Sequence, residues 1–219
     1  MKLMPALPET VFDILYLIFA ISSGIWLIRK AGSRKSVHLM GLAALLLGAG
    51  DAFHLVPRML NYWISGDWTA ALGIGKLVTS ITMTAFYLLL EYIRRDRYRD
   101  DRNKNLLTVF WILAAVRVVL CAFPQNGWTS AAPSLTWGMI RNIPFVMIGV
   151  ITIVLWFRSA GQDRIFHLLW LAVLLSFLFY VPVVLWSCRI PIIGMLMLPK
   201  TVMYIWMICM FRKAAGEER

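Results

Sequence analysis

Eight ionisable side chains fall inside strongly apolar stretches of this chain: Asp13, Asp51, His54, Arg58, Lys76, Arg117, Arg141 and Lys200. Each such group costs about 2.5–3.5 kcal/mol at the centre of a membrane span, so it marks a site for ligands, ions or protons by default. Asp51, His54 and Arg58 stand at i, i+3 and i+7, which puts all three on one helical stripe. Five cations (Arg58, Lys76, Arg117, Arg141, Lys200) face two carboxylates (Asp13, Asp51), leaving three positive charges over. Uncompensated charge in a low dielectric calls for a partner. The expected chemistry is therefore capture of a small anionic or zwitterionic solute, or of a lipid headgroup. Lys76, Lys200, Arg117 and Arg141, with Arg58, would neutralise it. Asn142 and Tyr180 would orient it, while Asp51 and His54 would couple protons. Arg58 and Arg141, each near a helix end, equally suit snorkelling anchors, and Asp13 suits a first-turn acid favoured by the helix dipole.

The elements that hold these residues follow from composition. Of the 219 residues, 60% are hydrophobic and 15% charged, with a net charge of +11. Soluble domains carry about 25% charged residues, and the mean hydropathy of +0.73 is far on the apolar side. A soluble enzyme, a disordered tail and a disulfide scaffold are all disfavoured. The basic charges lie between apolar blocks, so nucleic acid is not an expected partner; membrane lipids are. Segments at roughly 11–29, 38–57, 70–93, 105–123, 135–157, 165–186 and 190–211 are each long enough to cross a bilayer core of about 30 Å. They lack the two-residue alternation of a transmembrane barrel. The expected fold is all-α, with seven transmembrane helices.

Orientation follows the positive-inside rule. Arg29, Lys30, Arg34 and Lys35 fill the first loop, Arg94 to Lys104 the third, Arg158 and Arg164 the fifth, and Arg212, Lys213 and Arg219 the tail. The 124–134 loop has no charge, and Lys2 is offset by Glu9. The N-terminus is expected outside and the C-terminus in the cytoplasm, in a plasma membrane or bacterial inner membrane. The Arg94–Lys104 run reads as a solvated, headgroup-facing loop. Trp63, Trp68, Trp128 and Trp137 suit an outer aromatic belt.

The chain also repeats itself. Arg29–Leu46 (RKAGSRKSVHLMGLAALL) superposes on Arg158–Leu175 (RSAGQDRIFHLLWLAVLL) at a shift of 129 residues, matching the Arg, Ala-Gly and His-Leu positions. Lys76, Val78, Ile81 and Met83 match Lys200, Val202, Ile205 and Met207 at a shift of 124. Residues 1–93 form a first three-helix bundle and residues 135–219 a second. Residues 94–134 supply the basic loop, a joining helix and the outer loop. An offset of four helices gives both copies the same orientation, the parallel repeat arrangement known among transporters. Asp13 then falls on Asn142, Asp51 on Tyr180 and Lys76 on Lys200, which predicts one quasi-symmetric polar ring with the lysines opposite each other.

In layout this 3+1+3 pattern resembles SWEET sugar carriers, nicotinamide riboside transporters and, more loosely, microbial rhodopsins. The resemblance implies a ligand site between the two repeats. The segment Gly41-Leu-Ala-Ala-Leu-Leu-Leu-Gly-Ala-Gly50-Asp51-Ala-Phe53 is similar to the Gly-Asp segment of the lysoplasmalogenase family. That similarity implies an alternative, an intramembrane lipid hydrolase with Asp51 and His54 as catalytic groups. Where that family has a second Asp, the repeat places Tyr180; Thr82 and Met83 stand where it has a helix-3 histidine. Lys200, read as midway along the seventh helix, resembles the retinal-bearing lysine of microbial rhodopsins, a further alternative in which retinal would be the cofactor. Leu196 stands where those pigments carry an Asp. The charge pattern favours a transporter over an enzyme. No cofactor or metal is expected, since Cys121, Cys188 and Cys209 have no ligand spacing and read as structural thiols. His38 and His167 read as inner-end anchors, and a homo-oligomer is compatible with the sequence. Pro144, Pro182 and Pro199 are expected to allow kinks.

Overall fold

The computed structural model describes residues 3–100, 104–187 and 189–217. Lys2, Arg102, Cys188 and Arg219 lie outside the described residues, as does the Lys104 side chain. The elements are α1 (Leu3–Ala31), α2 (Lys35–Trp63), α3 (Thr69–Tyr98), α4 (Lys104–Ala122), α5 (Leu135–Ser159), α6 (Leu169–Trp186) and α7 (Met197–Glu217). Short 3-10 turns occupy Pro124–Asn126, Ala160–Gln162 and Pro191–Leu196. All seven expected segments are helical and long and apolar enough to cross a membrane. A helix is the natural choice there, because every backbone donor and acceptor is satisfied within the segment. The outer surface agrees. Leu15, Ile18, Val119, Ile143, Phe157 and Leu178 stand exposed around the bundle. Seven such helices with an apolar exterior make a multi-pass membrane protein.

Several boundaries differ from the sequence expectation for local reasons. The first helix begins at Leu3 rather than 11, which draws Glu9 into a helix instead of a tail. The sixth begins at Leu169 rather than 165. Asp163 supplies the turn signal there: its Oδ1 accepts the Ile165 amide at 2.8 Å and closes the preceding chain into turns. The seventh begins at Met197, because Pro191–Leu196 forms a 3-10 segment first. Lys200 therefore sits in the opening turn of α7, not midway along it. Pro199 shares that turn, where a missing amide costs no hydrogen bond, so it does not kink the helix. Pro8, Pro57, Pro144 and Pro182 do fall inside helices.

The basic run is also not a plain solvated loop. α3 continues through Tyr98, and Arg94 is only 3% exposed. Its Nε and Nη2 donate to Glu91 at 2.8 and 2.9 Å, and its Nη1 reaches Asp100 at 2.9 Å. Arg97 bonds Asp163 at 2.7 Å, tying α3 to the turn before α6. A polar cavity of about 490 Å³ opens beside this network, lined by Arg97, Asp163, Arg164 and the α7 end at Glu217. At the same end, Arg34 Nη1 donates to the Ala215 carbonyl at 3.3 Å and Arg212 Nη1 to Ser23 Oγ at 3.2 Å, joining α1 and α2 to α7.

α1, α2 and α3 pack in sequence, as do α5, α6 and α7; α4 touches α3 and α5, and α7 returns to α1 and α2. Small residues set the closest approaches. A side chain at Gly48 would strike Ala20 and Ile21 of α1, and one at Gly75 would strike the Phe53 carbonyl and the His54 backbone. These contacts clamp α1 and α3 onto α2, the helix that carries Asp51.

Candidate functional site

The site lies toward the end of the bundle where α1, α3, α5 and α7 begin. On α1, Glu9, Asp13 and Tyr16 stand at i, i+4 and i+7, one stripe facing α2. On α2, Asp51, His54 and Arg58 form the matching stripe. The opening turn of α7 brings Lys200, and Thr79 comes from α3. Together Glu9, Asp13, Asp51, His54, Arg58 and Lys200 line one cavity of about 40 Å³, closed on one side by Gly194, Met197 and Leu198. That space is enough for about two or three waters.

Its polar contacts are specific. Tyr16 OH donates to Asp51 Oδ2 at 2.7 Å. Arg58 forms an ion pair with Glu9, while the Tyr62 hydroxyl donates to Glu9 Oε2 at 3.1 Å. Trp63 Nε1 donates to Thr10 Oγ1 at 3.1 Å, a further tie between α2 and α1. Asp13 is 3% exposed, yet its Oδ2 has no hydrogen-bond partner, nor does His54 Nδ1. Lys200 is 5% exposed and acts electrostatically on Asp51. Among the described residues it makes no direct ion pair; its Nζ lies 4.7 Å from the Tyr204 ring centre and 5.1 Å from that of Tyr180.

The remaining expected residues do not join this cavity. Arg117, 1% exposed on α4, lays its guanidinium 3.5 Å over the Phe145 ring. Asn142 Oδ1 accepts the Tyr180 hydroxyl at 2.7 Å, and its Nδ2 donates to the Gly138 carbonyl at 2.7 Å. Arg141 is half-buried: Nη1 donates to Asn126 Oδ1 at 2.8 Å and Cζ lies 4.2 Å over Trp128. Asn126 in turn caps the end of α4, donating to the Leu120 and Phe123 carbonyls at 2.8 Å. Aromatic rings pack together beside these residues. Tyr87, Phe145, Phe177 and Tyr180 pack with neighbouring ring centres 5.0 to 5.7 Å apart.

Lys76 is exposed on α3 and lies outside the cavity, within electrostatic reach of His54. The reason is geometric. Gly75 is pressed against α2, and the next residue on a helix is turned away by about 100°. The expected single ring with Lys76 facing Lys200 thus gives way to two clusters and an outlying lysine. The charge tally changes too. Read from sequence, Glu9 belongs to a tail, but the cavity holds three carboxylates against Arg58 and Lys200. The expected cationic surplus sits instead around Arg117 and Arg141, and Lys76 lies apart from the cavity. Glu9 and Tyr16 become legible as the i−4 and i+3 neighbours of Asp13 once the first helix is started earlier. Comparisons of the chain with family models, with curated proteins and with solved structures found no match.

Proposed function

We propose that this chain is a plasma-membrane or bacterial inner-membrane transporter, or ligand-binding protein, for a small zwitterionic solute or headgroup. The N-terminus faces outward and the C-terminus the cytoplasm, and two parallel three-helix repeats flank α4. The loop charges support that orientation, and the sequential packing of α1–α3 and α5–α7 supports the repeat. The observation that carries the reading is the buried Asp13, whose Oδ2 lacks a partner on the same cavity as Asp51 and Lys200. Glu9 and Arg58 neutralise each other, leaving carboxylates on one side and the Lys200 ammonium on the other. That mixture complements a molecule bearing both charges better than a plain anion. A cavity of about 40 Å³ is a closed state. Loading requires the opening turn of α7 and its preceding 3-10 segment to move off α1 and α2.

The test is thermal unfolding of the full chain in lipid nanodiscs with glycine, glycine betaine, phosphocholine, acetate and phosphate. Saturable stabilisation by a zwitterion, lost in Asp13→Asn and in Lys200→Met, is the expected result. Stabilisation by acetate or phosphate alone, or a zwitterion response retained in both variants, sinks it.

A second reading is favoured by one observation. The cavity supplies, from α1 rather than α6, the second carboxylate that the hydrolase alternative needs: Asp13 beside Asp51. Two carboxylates on one buried cavity can divide acid and base roles in hydrolysis. Under that reading, ether- or ester-lipid cleavage in vesicles is abolished by Asp13→Asn and Asp51→Asn alike.

A further inference from the structure

The cover of the Asp13–Asp51 cavity has two unlike edges. Gly194, Met197 and Leu198 close the cavity, where the 3-10 segment Pro191–Leu196 runs into α7. In a 3-10 turn, residues three apart eclipse each other. Gly194 and Met197 therefore share the edge turned to the cavity, while Ile192 and Met195 share another. That second edge is bare: Ile192 is 71% exposed and Met195 51%. Trp186 and Ile190, which lead into the segment, are exposed as well. Gly194 contributes backbone only, and a methyl group there would meet no atom within 4 Å.

The position of this lid decides what can pass it. The stretch apolar enough to cross a membrane starts at Ile192, so the lid belongs to the span and not to an aqueous loop. A lid turned to water would carry polar side chains on its outer edge. Exposed isoleucine and methionine beside a polar cavity mark contact with lipid instead. The lining then decides the ligand. Asp13 Oδ2 is buried on the cavity and accepts no hydrogen bond, so it calls for a donor. A primary ammonium supplies three donors, as a lysine does, and a trimethylammonium supplies none. Arg58 is held by Glu9, which leaves Asp13 and Asp51 for an ammonium and Lys200 for a phosphate. At about 40 Å³ the closed cavity has room for an amine tip, not for a lipid.

Building on the zwitterion reading above, we propose that the ligand is the headgroup of a phospholipid with a primary ammonium, of the phosphatidylethanolamine type. It enters sideways from the bilayer, beneath the Pro191–Leu196 lid, and in the orientation proposed above the source is the outer leaflet. The ammonium sits between Asp13 and Asp51 and the phosphate at Lys200. The acyl chains stay in the bilayer, along Ile192 and Met195.

The experiment places the full chain in phosphatidylglycerol nanodiscs with rising mole fractions of phosphatidylethanolamine or phosphatidylcholine. Thermal unfolding and native mass spectrometry of the released protein are the readouts. The expected result is a saturable rise of several degrees with phosphatidylethanolamine and none with phosphatidylcholine. One phosphatidylethanolamine is retained per chain, and both signals are lost in Asp13→Asn. Soluble phosphoethanolamine is expected to stabilise the chain in phosphatidylglycerol alone and to add nothing once the lipid occupies the site. A response to the soluble compound but not to the lipid leaves the solute reading standing and overturns lateral entry. No response to either sinks both. Additive responses, an equal response to phosphatidylcholine, or a lipid response kept in Asp13→Asn each overturns the proposal. Should Asp13→Asn fail to fold, the wild-type chain decides by retaining phosphatidylethanolamine over the other two lipids or failing to.

Discussion

The Tyr16 hydroxyl donates to Asp51 Oδ2 at 2.7 Å, and both residues are buried, at 1% and 8% exposure. This bond from α1 to α2 orients the Asp51 carboxylate on the cavity wall and satisfies one of its oxygens. Tyr16→Phe keeps the ring and removes only the donor. It is expected to lower stability by about 1–3 kcal/mol, the cost of an unsatisfied buried acceptor. The combination with Asp51→Asn is expected to cost less than the sum of the single changes. Chemical or thermal unfolding in a mild detergent reads both.

At the other end of the molecule, Glu91 and Arg94 are 1% and 3% exposed and make two hydrogen bonds to each other. Glu91→Ala leaves the buried guanidinium only its more exposed partner, Asp100. The expected loss is about 3–5 kcal/mol, as for a broken buried ion pair. Asp100→Ala, at the more exposed arm of the same arginine, is expected to cost about 1 kcal/mol or less. Similar melting temperatures for the two variants would contradict the network as described.

The approach of α3 to α2 has its own test. A methyl group at Gly75 meets the backbone of Phe53 and His54, whereas one at Gly194 meets nothing. Gly75→Ala is expected to destabilise by about 1–3 kcal/mol through overpacking against atoms that cannot rotate away. Gly194→Ala is expected to stay within about 0.5 kcal/mol of the wild type. Folded yield after heating, read by size-exclusion chromatography, distinguishes them.

The proposed orientation is tested by labelling. In a chain stripped of native cysteines, Ser65→Cys lies in the turn after α2, and Gln162→Cys in the turn after α5, at the opposite end. A membrane-impermeant maleimide added to intact cells is expected to label the first and to reach the second only after lysis. The reverse pattern refutes an outward N-terminus.

The helices were legible because the bilayer leaves the backbone few alternatives and forces long apolar runs. Their ends were less so. Asp163 and the Pro191–Leu196 segment reset α6 and α7 through local turn chemistry, which hydropathy does not register. The stripe of Asp51, His54 and Arg58 was readable from spacing and does line one cavity. Which residues face them was not. Glu9 reads as a surface acid until α1 is seen to extend to it, and Lys76 reads as interior until Gly75 is seen pressed on α2. In both cases the charge is visible in the sequence but its direction is not. How far a helix extends and how it is rotated about its axis are decided by neighbours that carry no charge.

The two ends of the bundle are fastened differently. Arg34, Arg97 and Arg212 lace one end together with side-chain bonds that cross from helix to helix. At the other end, a short stretch of tight coil leads into α7 and rests on the acidic pocket. Opening of the pocket is expected to swing the start of α7 away from α1 and α2 like one arm of a pair of tweezers, hinged at the arginine-bound base. Amides of residues 192–198 should accordingly exchange with solvent deuterium well before those of Met203–Met210 farther along the chain.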